Sequence, residues 1–330
     1  MTSSTDSKHR TVVSVVVVNW NMREHILACL EALGAAGAQS DIEVIVVDNA
    51  SSDGSVEEIH ARYPGVTVIA NQSNRMFAGG VNDGLRHGKG SYFLILNPDV
   101  LITSATVMGL ARTAEANPNI AGISPLLYYP DGRLQRNFFP RWPSVFQTLL
   151  FLSPASVFAW KISFLRRLFF EFPLDTNGLL LPVEQLPGAC ILVPRTAVDR
   201  AGFMDEDFTL YYEDVDWCRR LTRYGTLMVK KDLSAIHHAG GSHSRREIWL
   251  YGRFRVSLLL FFRKHHSIAA FLFLKGFFFS LIYMSMAWGR CQRVLRLRDR
   301  EHVEFNRKKY DFFLNEFSAR RSSFVKHTRG

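Results

Sequence analysis

Thr11 to Val18 (TVVSVVVV) is the stretch that most narrows what this chain can fold into. β-branched side chains are stiff in a helix and fit a pleated surface, so the run reads as a strand. It lacks the polar alternation of a half-exposed strand, which implies cover on both faces, as in the parallel sheets of α/β proteins. Ile42 to Val47 (IEVIVV) and Tyr92 to Leu96 (YFLIL) repeat the pattern, and Val66 to Ala70 is a further strand. Between them, Ile26, Leu27, Leu30 and Leu33 recur at helical spacing with Gly34 as a stop, and Val56 to Tyr63 reads as a short helix. The alternation of strand and helix predicts an α/β fold with a mostly parallel sheet flanked by helices.

Open sheets of this kind place ligands beyond the carboxyl ends of their strands. The first polar residues there are Asn19-Trp20-Asn21, then Asp48-Asn49-Ala50-Ser51-Ser52-Asp53, then Asn97-Pro98-Asp99. Taken alone, Asp99 is either a cation-site carboxylate or a solvated loop aspartate. Gly79-Gly80 either lets backbone N–H groups approach an anion ahead of a helix or packs that helix tightly on the sheet. The segment is neither a P-loop nor G-x-G-x-x-G. Pro187-Gly188-Ala189 reads as a tight turn into another buried strand.

Two later clusters carry titratable groups. In Glu213-Asp214-Val215-Asp216, three carboxylates open a helix, where the dipole favours negative charge. Val215, Cys218 and Leu221 would form its inner face, leaving Glu213 and Asp214 at the mouth of a site, either as helix caps or as a general base. His237, His238 and His243 lie within seven residues beside glycines, and imidazole can supplement carboxylates around a Mn²⁺-like cation.

Composition limits the class. At 330 residues and 47% hydrophobic content the chain buries a large core, and general disorder is excluded. Cys29, Cys190, Cys218 and Cys291 form no C-x-x-C pair, which points to a reducing compartment without a disulfide framework. Residues 1–10 form a polar tail without an apolar core, so no signal peptide is expected.

The ordered set VVVVNWN, IEVIVVDNASSDGS, NQSNRMFAGGVNDG, YFLILNPDV, LPGACILVPR, FTLYYEDVDWCRR and IHHAGGSH resembles the family 2 glycosyltransferases of GT-A fold, in their rhamnosyltransferase-like branch. The resemblance covers Val12 to His243 and implies a Rossmann-like nucleotide-diphospho-sugar transferase domain over 11–245. It implies inverting transfer from a nucleotide-diphosphate sugar, best guessed as dTDP-rhamnose, to a glycan or polyprenyl-linked acceptor in cell-wall polysaccharide biosynthesis, with Mg²⁺ or Mn²⁺ as cofactor. By position, Asp99 and His237 would hold the metal and Asp214 would be the catalytic base. Asn19, Asp48, Asn49, Asn74, Gly79, Asn82, Asn97, Gly188, Ala189 and Glu213 would contact the nucleotide or sugar. Two residues depart from the family pattern: Met76 stands where a glycine usually precedes Phe77, and Asn97 occupies the first position of the D-x-D motif. A nucleotidyltransferase would need a glycine- and arginine-rich loop after the first strand, which Asn19-Trp20-Asn21 does not supply. A non-enzymatic nucleotide-sugar-binding scaffold leaves Glu213, Asp214 and the histidines without a purpose.

Beyond residue 245 the chain turns basic, with 19 Lys/Arg against 6 Asp/Glu from Gly241 to Gly330. The basic residues flank apolar stretches, which favours an anionic membrane over nucleic acid as partner. Ile268 to Trp288 is long enough to span a bilayer, which takes about 20 residues, yet Lys275 lies inside it. An in-plane helix lets that lysine snorkel, and Arg290, Arg293, Arg296, Arg298 and Arg300 follow at once. Residues 246–330 are therefore read as a helical membrane-associating extension, peripheral or monotopic at the cytoplasmic face of the plasma membrane, with a single span over 268–288 as the alternative.

Overall fold

A computed structural model describes residues 13–35, 41–136, 141–152, 161–162, 177–239, 247–294 and 300–326. The chain divides into two compact units. The first takes in Met1–Trp142, Ala159–Met204 and Trp217–Ala239; the second takes in Pro143–Phe158, Asp205–Asp216 and Gly240–Gly330. The second unit thus recruits two segments that lie, in the linear reading, inside the transferase region.

The first unit is built on a nine-stranded sheet. Its strands are β1 (Val13–Asn19), β2 (Ile42–Asp48), β3 (Thr67–Ala70), β4 (Tyr92–Leu96), β5 (Val100–Leu101), β6 (Ile120–Tyr128), β7 (Leu180–Val183), β8 (Cys190–Pro194) and β9 (Thr226–His237). The order is β3-β2-β1-β4-β8-β6-β9-β5, with β7 also on β9. β3, β2, β1 and β4 are mutually parallel, as the apolar runs predict. The other half is mixed: β8 runs antiparallel to β4 and β6, β9 is parallel to β6, and β5 and β7 are antiparallel to β9.

Alternate residues of the central strands feed two cores. Val16, Val18, Ile45, Val47, Phe93 and Ile95 join one cluster, and Val15, Val17, Val46, Leu94 and Leu96 the other. Cover on both faces explains why these strands show no polar alternation. The helix Met76–His87 takes in Gly79 and Gly80 rather than following them. A Cβ on Gly80 would stand 2.7 Å from Val18 Cγ1, and one on Gly84 2.2 Å from Val16 Cγ1. Both are closer than carbon atoms pack, so Gly80 and Gly84 allow this helix to lie against β1. The reading of the glycine pair as a turn ahead of a helix is corrected accordingly, because Gly79 sits in the first turn.

In the second unit the helices Glu247–His265, Ile268–Val294 and Arg300–Ala319 pack on one another. Phe279 meets Phe313 and Phe317, while Phe271, earlier on its helix, meets Phe324, later in the chain. The Arg300–Ala319 helix therefore runs back antiparallel along the Ile268–Val294 helix. Phe271, Leu274, Phe278 and Ile282 form the buried stripe of the latter, whereas Leu272, Phe273, Tyr283, Met284 and Trp288 are exposed. The Lys275 ammonium lies 5.4 Å from the centre of the Phe317 ring. Arg296 and Arg298 of the predicted basic cluster lie outside the described residues.

Candidate functional site

Parallel pairing of β1 with β2 sets Asn19 opposite Asp48, and the geometry of one cluster follows from that register. Asn19 Nδ2 donates to Asp48 Oδ1 at 2.9 Å, and both side chains are buried. The other Asp48 oxygen accepts from Ser51 N at 2.8 Å. Asn19 Oδ1 is buried without a protein partner, an orphan acceptor of the kind a ligand N–H satisfies. Asp53 holds the loop from beneath by accepting from the backbone of Arg23 and Ser55.

Asn49 and Asn74 serve the loop around Met76. Asn49 Nδ2 donates to Met76 O at 2.9 Å, and Met76 N donates to Asn74 Oδ1 at 2.8 Å. Met76 has φ +60°, in the left-handed region that costs a residue with a Cβ about 1–2 kcal/mol. That conformation favours glycine, and here two asparagines pin a methionine into it. Asn82, expected in the same pocket, instead clamps a backbone: its Nδ2 donates to Met204 O and its Oδ1 accepts from Met204 N, each at 2.9 Å. Its amide is engaged on both ends, which is a structural use.

A second cluster forms where β4 ends. Asn97 N donates to Ala189 O at 2.9 Å, joining the Asn97-Pro98-Asp99 turn to the Pro187–Cys190 turn that contains Gly188. Antiparallel pairing of β5 with β9 sets Val100 opposite His237, so His237 stands beside Asp99. His237 Nε2 is 3.5 Å from Asp99 Oδ1, with both side chains buried. Burial pushes the Asp99 carboxyl up, but the hydrogen bond and charge of His237, helped by His25, outweigh it and hold the group below its ordinary value. Asp99 is thus kept as a carboxylate in a buried place.

Among the described residues no group of three or more His, Cys, Asp and Glu side chains gathers as a metal cage. Asp99 and His237 are a pair. Such a pair fits Mg²⁺ or Mn²⁺ in a phosphate-transfer setting, where one or two protein ligands suffice beside phosphate and water. His238 is exposed, with its ring 5.5 Å from that of His25, and His243 lies outside the described residues. His25 and Gln135, which contacts His237, are the residues that motif reading missed; neither lies in a motif.

The acidic helix Glu213–Leu221 departs from its predicted layout. Glu213 and Asp216 are buried with Trp217, Cys218 and Leu221, while Asp214 is half-buried. Asp216 is fully enclosed and paired with Lys264 Nζ at 2.6 Å and His265 Nε2 at 2.7 Å, a structural tie within the second unit. The backbone just ahead of the carboxylates is strained, with Tyr211 at φ +59° and Tyr212 at φ +69°. Burial, followed by the Asp214 charge, raises the Glu213 carboxyl to about 8, and its Oε2 has no protein partner. Glu213 is therefore neutral at pH 7 beside Asp214.

That shift has a testable sign. Folded Glu213 keeps a proton that the unfolded chain gives up above pH 4.5, so its contribution to stability declines as pH rises from 4.5 to about 8 and then levels off. Glu213→Gln is expected to flatten this decline, gaining on the order of a few kcal/mol over the wild type at pH 8 relative to pH 5. Thermal unfolding of both proteins across that range checks it, and parallel pH profiles would refute it.

Comparison with known proteins places these clusters in context. A model described as glycosyl transferase family 2 matches residues 14–171. The chain is 26% identical over 270 residues, 78% of its length and 85% of the relative's, to an N-acetylglucosaminyl-diphospho-decaprenol L-rhamnosyltransferase of Mycobacterium tuberculosis. It is 26% identical over 245 residues, 71% of its length and 70% of the relative's, to a low-salt glycan biosynthesis hexosyltransferase of Haloferax volcanii. Among solved structures it is similar to a mannosyltransferase from Pyrobaculum calidifontis in complex with GDP-Man and Mn²⁺, with TM-score 0.50, 18% identity, and 76% of this chain and 63% of that one covered. It is also similar to GalNAc-T7 with UDP, GalNAc and Mn²⁺, with TM-score 0.52, 14% identity, and 76% and 51% covered. The alignments span less than two thirds of either solved chain, and at these identities the likeness is one of fold.

Proposed function

Since the chain is a glycosyltransferase carrying a family 2 domain on a GT-A fold, we propose that it moves a hexosyl residue, rhamnose from dTDP-rhamnose in the first instance, onto a polyprenyl-linked glycan acceptor with inversion. The observation that carries this reading is the pairing of Asn19 with Asp48 at the carboxyl ends of β1 and β2, and of Asp99, just past β4, with His237 at the carboxyl end of β9. Similarity to the mycobacterial relative, whose name specifies a decaprenol-linked acceptor, supports the lipid-linked acceptor.

In this reading Asp48 and the orphan Asn19 Oδ1 bind the nucleotide, and Asn97, beside Ala189, faces the sugar. Asp99 and His237 would hold Mg²⁺ or Mn²⁺, which when bound neutralises the charge growing on the departing diphosphate without a proton transfer. Asp214 takes the proton from the acceptor hydroxyl as that oxygen attacks the anomeric carbon from the face opposite the leaving group, as in inverting glycoside chemistry. Neutral Glu213 adds no second charge beside this base. A screen of nucleotide sugars with Mn²⁺ or Mg²⁺ and a polyprenyl-diphosphate-linked sugar, following release of nucleoside diphosphate, tests the reading. Release with dTDP-rhamnose is expected, and no release with any donor would sink it.

The membrane reading becomes more specific. The Ile268–Gln292 segment is long and apolar enough to cross a bilayer. Its antiparallel neighbour carries Arg307, Lys308, Lys309, Asp311 and Glu316, which a span would drag into hydrocarbon at about 2.5–3.5 kcal/mol per charge. An in-plane helix, lying on an anionic surface by its exposed Leu272, Phe273, Tyr283, Met284 and Trp288, avoids that cost. Cys291 is exposed, and the other described cysteines, Cys29, Cys190 and Cys218, are buried. In sealed vesicles a membrane-impermeant maleimide is expected to label Cys291 and an introduced Ser267→Cys from the same side. Labelling from opposite sides would assign a span.

A further inference from the structure

We propose that Gln135 is a positioning residue that holds a proton on His237 Nδ1, so that Nε2, the nitrogen beside Asp99, is the one offered to a cation. This rests on the reading of Asp99 and His237 as the cation-binding pair, and it adds a residue outside every motif of the chain.

Gln135 is fully buried just past the end of β6. Its backbone is fixed, because Gln135 N donates to Leu127 O at 2.9 Å and Leu134 bridges Tyr128. Its side chain makes two hydrogen bonds to one residue. Nε2 donates to the main-chain carbonyl of His237 at 2.6 Å, and Oε1 faces His237 Nδ1 at 2.9 Å. The two contacts determine each other. A carbonyl oxygen only accepts, so the amide nitrogen must face His237 O, and a flipped amide would set oxygen against oxygen. The amide oxygen is thereby left facing Nδ1. An amide oxygen also only accepts, so Nδ1 carries the proton.

In the neutral ring, the form that binds metals, the proton on Nδ1 leaves Nε2 with its lone pair. That nitrogen stands 3.5 Å from Asp99 Oδ1. With the opposite tautomer, Nδ1 would have no proton for the Gln135 amide oxygen, and the lone pair of the neutral ring would face away from Asp99. With Nδ1–H held by Gln135, a cation at this pair would take the Nε2 lone pair and the Asp99 oxygen together, displacing the hydrogen bond by which His237 otherwise holds the Asp99 carboxyl down. Metal-binding histidines commonly have their second ring nitrogen held by an acceptor in this way, and loss of that acceptor typically weakens metal affinity about 10–100-fold.

The test uses the full chain in detergent with ¹⁵N-labelled histidine. Long-range ¹⁵N–¹H correlation at a pH where the rings are neutral reads the His237 tautomer, with His237→Asn identifying its signals. The wild type is expected to carry the proton on Nδ1 and Gln135→Leu on Nε2. Titration with Mn²⁺ alone, followed by electron paramagnetic resonance, should show affinity about 10–100-fold weaker in Gln135→Leu. Gln135→Glu, which keeps an acceptor for Nδ1–H, should restore the wild-type tautomer and most of the affinity. Should the leucine variant not fold, Gln135→Met removes the same acceptor. A wild-type ring protonated on Nε2, or a folded Leu or Met variant still protonated on Nδ1, would overturn the proposal. Failure of the cation reading is separately visible: wild-type protein that binds no Mn²⁺, or binds it unchanged after Asp99→Asn, refutes the pair as a metal site whatever the tautomer.

Discussion

Replacing Asp214 by Asn is expected to abolish sugar transfer while the donor still binds. The substitution keeps shape and an oxygen at Oδ1, which accepts from Val215 N at 2.8 Å, so the start of the Glu213–Leu221 helix should hold. What it removes is the capacity to take a proton. General-base assistance contributes about 10²–10⁴-fold to rate, and a loss of that size in kcat with donor affinity unchanged is the predicted result. In the variant the Asp214 charge no longer raises Glu213, but burial, the larger cause, still favours its proton and keeps it a poor substitute. Donor titration beside a radiolabelled transfer assay separates the two effects. Near-normal turnover would remove Asp214 from the role.

Asp99→Asn should act on a different quantity. Its main-chain carbonyl, which accepts from His238 N at 3.0 Å, is untouched, so the turn is expected to survive. The charge that His237 helps to maintain at that position disappears. Divalent-cation affinity should fall, and transfer should drop on the order of 10³-fold, because several kcal/mol of stabilisation at the leaving diphosphate is lost. Excess Mn²⁺ should restore part of the rate if weakened binding is the cause. Transfer that is unaffected by both the substitution and chelation would place the cation elsewhere or dispense with it.

The parallel half of the sheet was legible because burial on both faces leaves a local mark: an unbroken apolar run stopped by polar residues at each carboxyl end. Asn19, Asp48 and Asp99 could be found from that mark alone. The mixed half was not legible, since β6 meets β9 across some hundred residues of chain and nothing in either strand names its partner. His237 was visible as a histidine, but its placement beside Asp99 depends on the two-residue β5 strand, too short to leave a pattern. Gln135 sits in a polar stretch, GRLQRN, that reads as an ordinary loop. The acidic helix misled for a physical reason. Asp216 is as polar as Asp214, and only Lys264 and His265, nearly fifty residues on, allow it to be the enclosed member.

The return of the Arg300–Ala319 helix along the Ile268–Val294 helix also bears on how such a chain is made. A helical hairpin that docks by one flank keeps both of its ends in the compartment where the ribosome released them. Under the proposed in-plane docking, no segment of it would need a translocation channel, and the transferase would finish folding in water before meeting lipid. Attachment of that proposed kind would be an equilibrium tuned by surface charge and lipid composition, so the amount of enzyme at work would change without any change in its synthesis.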